Sequence, residues 1–298
     1  MSHNHSHDHG DLPEIRLRWA VAVNILLTAV QVIAGILSGS LALIADAIHN
    51  FSDAAALLIA LFAIRIGRKQ ADHKRTFGYK RVETLAAFVN LGTLLFLGAY
   101  LVFEAIRRFF DPVPVEGWTV VIVAGIALVI DVATAILVSK GAKSSLNIRA
   151  AYLHNIADAL SSVGVMVAGA IIILYGWPIA DSIATFVIAG YVLFHAAREI
   201  PAVLNILLNG APEGVSLDAV TGAIEDIDGV KSVHHVHLWR IDEKRNALEA
   251  HVVVEHMDQT GRLKTAIKNL LVTQFALDHV TLEFESVDCG DHCDHHHP

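Results

Sequence analysis

The chain has 298 residues, of which 54% are hydrophobic and 17% charged, and its mean hydropathy is +0.52. Soluble domains carry about 25% charged residues, so this composition excludes an ordinary soluble enzyme. The 2 cysteines exclude a fold held by several disulfides, and the 18 histidines require a chemical explanation.

Charge is distributed unevenly along the chain. Residues 1–208 carry 15 Lys and Arg against 14 Asp and Glu, whereas residues 209–298 carry 7 against 16. We therefore place a domain boundary near Asn209. The acidity of the second part argues against nucleic acid as a partner and is compatible with cations.

Six apolar runs precede this boundary, each close to the 20 or so residues that a helix needs to cross a bilayer. They are Trp19–Leu37, Leu41–Ile64, Val82–Ile106, Trp118–Val138, Ala150–Tyr175 and Trp177–Ala197. The sequence thus predicts a polytopic α-helical membrane protein with six transmembrane helices in residues 16–208. Lys and Arg cluster before the first run and in the loops after the second and fourth, which predicts cytoplasmic termini.

Two of the runs contain the same pentapeptide, His-Asn-x-x-Asp, at a similar depth. It begins at His49 and ends at Asp53 in the second run, and it recurs from His154 to Asp158 in the fifth. Residues four apart share a helix face, so each run presents an imidazole beside a carboxylate. Two nitrogens and two oxygens suit a tetrahedral zinc site, and ionisable groups in hydrocarbon are functional candidates by default.

Other interpretations of these polar residues stay open. The two pairs could be unrelated groups that hydrogen-bond across a helix bundle. Asp46, seven residues before Asp53 on the same face, could support a ligand, pass the ion on or only pack helices together. We interpret Asp131 and Asp181 as mainly structural.

The acidic part predicts a small α+β domain. Helical spacing at Ser216–Ile227 and Arg262–Phe275 alternates with strand patterns at Ser232–Ile241, Ala247–Glu255 and Val280–Glu285, which gives the order αββαβ in residues 209–286. Six of the histidines fall on or beside these strands. Strand alternation places His235 and His237 on one face and His234 on the other.

Low-complexity segments occur at both ends of the chain. Residues 1–15 form a His-rich tail with His at every second position from His3 to His9, which we expect to be cytoplasmic and to capture zinc weakly. Residues 287–298 form a second tail that contains Cys289, Cys293 and a final His run. That last run could instead belong to an expression tag.

Several motifs together resemble the cation diffusion facilitator family, zinc-transporter type. They are Ser38–Asp53 (SGSLALIADAIHNFSD), Thr76–Tyr79 (TFGY) with Glu83, Leu85–Asn90 (LAAFVN), Asn147–Asp158 (NIRAAYLHNIAD) and Val233–Trp239 (VHHVHLW). The resemblance covers nearly the whole chain. It implies a homodimeric exporter of the bacterial inner membrane, with six spans per protomer and a ferredoxin-like cytoplasmic domain that dimerises and senses metal.

The resemblance also implies particular metal ligands. Zinc would leave the cytoplasm in exchange for protons through His49, Asp53, His154 and Asp158, with cadmium and cobalt as further substrates. Regulatory zinc ligands correspond to His234, His251 and Glu285, and some relatives use paired tail cysteines, here Cys289 and Cys293. His237 is a further candidate, although all of these histidines could simply be surface groups of a solvated sheet.

A further family site, built from an Asp and two His in the loop after the second run, matches this chain poorly. Asp72 fits, but Arg75 and Tyr79 stand at the His positions. We expect this accessory site to be absent or weak.

The remaining function classes are separated by their motifs. His-Glu-x-x-His, Gly-x-Ser-x-Gly and the phosphate-loop signature do not occur, so we predict neither an enzyme nor an ATP-driven pump, and no organic cofactor. The expected partners are divalent metal ions, protons, the lipid bilayer and a second copy of the chain. The alternative is a membrane-anchored metal-sensing or metal-buffering scaffold that moves no ion.

Overall fold

The computed structural model of the chain describes residues 14–139 and 146–287, with side chains at 23–55, 58–59, 62–63, 65–137, 139 and 152–287. The predicted His-rich tail up to residue 13 lies outside the described residues. So do Cys289, Cys293 and nearly all of the carboxy-terminal tail.

Six long α-helices make up the first part of the described chain. They are α1 (Glu14–Ser38), α2 (Leu41–Gly67), α3 (Arg81–Phe110), α4 (Gly117–Ser139), α5 (Leu146–Tyr175) and α6 (Ile179–Leu207). Among the residues with described side chains, four segments are long and apolar enough to cross a membrane: Arg81–Phe110, Gly117–Leu137, Tyr152–Tyr175 and Ile179–Leu207. The described part of α1 adds a shorter apolar stretch, Val23–Ser38. The six-span count remains a prediction.

Small residues let α4 and α5 pack closely. A Cβ atom at Gly169 would lie 2.9 Å from Val121 Cγ2, and one at Gly117 would lie 2.8 Å from the Gly169 carbonyl oxygen. Gly and Ala commonly allow such close approach between membrane helices. The backbones of α4, which carries Asp131, and α5, which carries Asp158, therefore lie in close contact.

The start of α2 is capped by another helix. Asp181, in the first turn of α6, accepts hydrogen bonds from the Ser40 hydroxyl and from the backbone N–H groups of Leu41 and Ala42. The first N–H groups of a helix have no partner within it, and a buried carboxylate satisfies them here. Helix capping therefore explains the buried Asp181 without metal binding.

The acidic part contains a three-stranded sheet in the order β1–β2–β3. Strand β1 (Val230–Arg240) pairs antiparallel with β2 (Asn246–Val254), and β2 pairs parallel with β3 (Leu277–Glu285). Helices α7 (Leu217–Glu225) and α8 (Thr260–Phe275) complete the predicted order αββαβ, with a 3₁₀ turn at Met257–Gln259. The ferredoxin-like assignment remains a prediction.

Both helices bury apolar side chains against this sheet. Residues on α7, α8 and the strands, among them Ile224, Ile267 and Leu248, are fully buried in one core. Ser216 stands at the amino terminus of α7 as predicted, but its side chain makes no capping hydrogen bond.

One prediction about β1 is wrong. Strict alternation placed His234 on the opposite face from His235 and His237, yet the rings of His234 and His235 both lie beside His251, at centroid distances of 5.3 and 4.8 Å. The register shifts between His234 and His237, and His235 has φ of 50°. Such a bulge re-aims side chains, and sequence periodicity does not reveal it.

The described chain divides into two units. Residues up to Ile59 with Val89–Glu199 form the first, and Ala60–Phe88 with the residues from Ile200 onward form the second. The loop between α2 and α3 therefore belongs to the same unit as the sheet.

Candidate metal centres

The four residues of the repeated pentapeptide come together between α2 and α5. His49 Nε2 lies 3.2 Å from Asp158 Oδ1, and His154 Nε2 lies 3.3 Å from Asp53 Oδ2. Within each helix the histidine and aspartate are also near, at 3.7 Å on α2 and 3.5 Å on α5. Each carboxylate thus faces both imidazoles.

These separations suit a metal ion. With zinc bonds of about 2.1 Å, neighbouring ligand atoms of a tetrahedral site lie roughly 3.4 Å apart. His49, Asp53 and Asp158 offer ligand atoms that all lie within 4.8 Å of one another. His154 stands outside this group of three, with its Nε2 3.3 Å from Asp53 Oδ2. Asp53 Oδ2 and Asp158 Oδ1 are buried without a hydrogen bond, which is costly for a carboxylate unless a cation is nearby.

A cavity of about 1140 Å³ reaches this group. His49 and Ser161 line it together with apolar residues of α5 and α6 such as Leu160 and Ile183. The imidazole of His49 is therefore not sealed inside the helix packing, and a ligand can approach it.

Asp46 lies behind the group and is engaged elsewhere. It accepts hydrogen bonds from Gln31 Nε2 at 2.7 Å and from Ser161 Oγ at 2.5 Å, and Asn50 donates to Gln31 Oε1. These bonds join α1, α2 and α5 and favour the helix-packing interpretation of Asp46. Sequence reasoning missed Gln31, which is fully buried, although an amide in the middle of an apolar run was the available signal.

Asp131 has a similar structural setting on α4. Its Oδ2 accepts a hydrogen bond from Ser162 on α5 at 3.1 Å. The neighbouring serines 161 and 162 thus each bond a buried carboxylate on a different helix. These bonds fix the rotation of α5 on which His154 and Asp158 depend.

A second group of potential ligands lies on the sheet. His234 Nε2 is 3.4 Å from Glu285 Oε2, and His251 Nδ1 is 2.8 Å from Glu285 Oε1. The three residues offer ligand atoms within 4.8 Å of one another, and Glu285 Oε2 is buried without a hydrogen bond. One carboxylate with two imidazoles is a donor set that zinc accepts, so these residues fit a metal ion.

Two more residues surround this group. His237 lies beside His235, with their Nε2 atoms 3.3 Å apart, rather than in the group of three. Glu283, which sequence reasoning missed, places Oε2 3.5 Å from His251 Nε2. Its position two residues before Glu285 on the same strand was the available signal.

The loop acid Asp72 is held in a hydrogen-bonded turn. Its carboxylate accepts bonds from the Tyr79 hydroxyl and from the backbone N–H groups of Lys74 and Arg75. The Tyr79 bond, followed by the two backbone bonds, lowers the pKa of Asp72 below its ordinary value. Arg75 also donates to Tyr79, so the residues at the expected His positions serve to order the loop.

The fold and its buried polar groups define an integral membrane protein with a small additional α+β domain. Two family comparisons agree: residues 17–208 match the family described as "Cation efflux transmembrane domain", and residues 212–287 match "Cation efflux protein, cytoplasmic domain". The chain belongs to the cation efflux family, which confirms the resemblance. This family consists of transporters, so the prediction that the chain is not an enzyme is confirmed as well.

Curated relatives align over nearly their full length. "Zinc transporter ZitB" of Pectobacterium atrosepticum is 38% identical, covering 99% of this chain and 93% of the relative. "Metal cation efflux system protein CzcD" of Cupriavidus metallidurans is 38% identical, covering 97% and 92%. "Cadmium, cobalt and zinc/H(+)-K(+) antiporter" of Bacillus velezensis is 34% identical, covering 96% and 92%.

One solved structure is similar to the carboxy-terminal part. It is the "Metal-bound C-terminal domain of the CzcD transporter", which is 32% identical over 24% of this chain and 99% of its own, with a TM-score of 0.23.

Proposed function

We propose that the protein is a proton-coupled antiporter that exports divalent metal cations, chiefly zinc, from the cytoplasm. Cadmium and cobalt are further candidate substrates, because a relative named for these ions aligns with 96% of the chain. The observation that carries the proposal is the convergence of His49, Asp53, His154 and Asp158, with two carboxylate oxygens that lack a hydrogen bond.

The chemistry of this group supports the exchange of metal for protons. A histidine must be deprotonated to bind a metal, so proton and metal compete for His49 and His154. Imidazole is also the side chain that changes charge near neutral pH. A site that opens alternately to the two sides of the membrane would therefore release zinc where protons are abundant.

The proposed arrangement completes the architecture. Six helices span the bacterial inner membrane with both termini in the cytoplasm, residues 16–208 form the transport domain, and residues 209–286 form a ferredoxin-like domain that joins two copies of the chain. The tails at 1–15 and 287–298 collect zinc. The match of residues 212–287 to a cytoplasmic family domain supports the orientation.

We further propose that the sheet carries a regulatory zinc site. His234, His251 and Glu285 would hold the ion, and Glu285 Oε2, which is buried without a hydrogen bond among the described residues, would bind the metal. Since β1, β2 and β3 would each supply one ligand, bound zinc would crosslink the three strands and hold them more rigidly at high zinc.

The decisive experiment is metal-dependent proton flux in proteoliposomes that contain the full chain. We expect a zinc gradient to drive protons in the direction opposite to zinc, toward the side from which zinc is taken up, with cadmium and cobalt also active. A chain that binds zinc but moves neither zinc nor protons would identify a metal-buffering scaffold instead. A response led by manganese would contradict a site with two imidazoles, because manganese prefers oxygen ligands.

A further inference from the structure

A second cavity, unrelated to either group of metal ligands, lies in the unit that contains the sheet. It has a volume of about 540 Å³, and the α2–α3 loop lines it together with Arg245 and His279. Its charged lining residues are all cationic: Lys69, Lys80 and Arg245. Neither the transport proposal nor the regulatory site assigns a role to it.

The charges of the two lysines are not neutralised within the part of the chain that the structure describes. Neither Lys69 nor Lys80 makes an ion pair there, and Lys69 Nζ lies 5.9 Å from the centroid of the Tyr79 ring. Of the nearby acids, Asp72 bonds Tyr79 and Asp242 pairs with Arg245 at 2.6 Å. Glu83 places Oε1 beside Gly67 of the wall but forms no ion pair with either lysine among the described residues, so the cavity keeps an excess of positive charge. Two like charges that share one cavity favour an anionic ligand.

The wall of the cavity is ordered before any ligand arrives. The Asp72 turn fixes one side, and Gly78 follows with φ of 83°, a conformation that side chains rarely adopt. On the other side, Arg245 donates to the Phe77 carbonyl oxygen, and the Phe77 ring packs edge-to-face against His279 at 5.4 Å. A preformed wall lowers the entropic cost of binding.

The position of the cavity identifies the anion. The lysines flank the ends of two long helices, since α2 ends at Gly67 and α3, which is long and apolar enough to span the membrane, begins at Arg81. On the orientation proposed above, these helix ends would lie in the cytoplasmic headgroup layer, where basic pockets bind lipid phosphates. Phe77, which is 49% exposed, adds an apolar surface at the same place.

We propose that this cavity binds a phosphate group, with Lys69 and Lys80 as its charged ligands, and that its source is the headgroup of an anionic phospholipid. Arg245 holds the wall through Phe77 and Asp242. The lipid would thereby connect the membrane surface to the loop and to residues of the sheet domain.

The test compares lipid binding to the purified full-length protein by native mass spectrometry, with phosphatidylglycerol, phosphatidylcholine or inorganic phosphate added. The double variant Lys69→Gln, Lys80→Gln should bind phosphatidylglycerol about 30-fold more weakly, from the attraction that each lysine has for an anionic lipid surface. The matched control is Lys231→Gln, Lys264→Gln, which removes two exposed lysines of the same unit and should bind as the parent does. Lys69→Arg, Lys80→Arg should retain binding.

The possible results separate the alternatives. Selective loss in the cavity variant, with rescue by arginine and unchanged thermal unfolding, supports the proposal. Equal loss in both glutamine variants would show a general charge effect and overturn it. Equal binding of phosphatidylcholine and phosphatidylglycerol would overturn it too, and saturable binding of inorganic phosphate without a lipid preference would overturn the lipid source.

Discussion

Asp158→Asn is the most direct perturbation of the proposed transport site. The carboxylate of Asp158 places Oδ1 3.2 Å from His49 Nε2 and Oδ2 3.5 Å from His154 Nε2, so one side chain serves both imidazoles. Asparagine keeps the shape but replaces one oxygen by an N–H donor. It also removes one of the two negative charges that balance a dication.

The expected loss is large because the site is buried. Asp158 is 7% exposed, so a bound dication would be left with one uncompensated charge among α2 and α5. Leaving a buried charge without its partner costs roughly 3–5 kcal/mol. Since 1.4 kcal/mol corresponds to about a factor of ten, zinc affinity at this site should fall by about two to four orders of magnitude.

The assay is zinc uptake into proteoliposomes across a range of zinc concentrations, compared with Asp131→Asn. Asp131 is also buried, but it accepts a hydrogen bond from Ser162 and belongs to no group of ligand atoms among the described residues. Asparagine keeps an oxygen that can accept the Ser162 hydrogen bond, so α5 should keep its rotation, and we expect the control to transport within a few-fold of the parent chain. Parent-like transport by Asp158→Asn, or an equal loss in both variants, would refute the reasoning.

Three further predictions address other parts of the chain. Glu285→Gln should weaken zinc binding to the sheet at least tenfold in equilibrium titrations while transport at saturating zinc persists, whereas Glu255→Gln, at an exposed residue, should change neither. Asp181→Asn should lower the free energy of unfolding by roughly 1–2 kcal/mol, because the amide replaces one acceptor oxygen of the α2 cap. Thermal unfolding measures this loss, with Asp111→Asn at an exposed residue as the control. Tyr79→Phe should raise the pKa of Asp72 back toward 3.8, measured from the pH dependence of its carboxyl carbon chemical shift, and an unchanged titration would contradict the assigned bond. In the parent chain, the stabilisation that the ionised Asp72 gives to the loop is present above pH 3.8 and is lost as the pH falls through its lowered folded-state pKa.

The membrane helices and the main candidate site were predictable because their signals are local. Apolar runs of sufficient length identify candidate spans without knowledge of contacts, and α3 to α6 contain helical segments long and apolar enough to cross a membrane. Residues four apart on a helix share a face, so the pairing of His49 with Asp53 and of His154 with Asp158 followed from spacing alone. That the two pairs meet depends further on α2 and α5 being neighbours with these faces turned toward each other, which equal depth of the motif alone does not predict.

The remaining features depend on contacts between distant residues. Nothing at Gln31 indicates that it would bond Asp46, 15 residues later, or that Ser161 on α5 would complete the same network. The bulge at His235 is a backbone event, and alternation along β1 therefore gave the wrong neighbours for His234. A β-bulge or a buried amide leaves no periodic pattern in the sequence from which it could be predicted.

Charge balance connects the proposed site to the proposed exchange. Two aspartates and two neutral histidines carry two negative charges, which a zinc ion cancels, so the loaded site is neutral within the membrane. When zinc leaves, the carboxylates that face His49 and His154 at 3.2–3.5 Å need positive charge from another source. A proton on each imidazole would restore neutrality at the same positions. An imidazole that carries this second proton cannot bind the metal, so zinc and protons exclude each other. Replacing either carboxylate should therefore disturb zinc and proton movement together, whereas a change at Asp131 should leave their coupling intact.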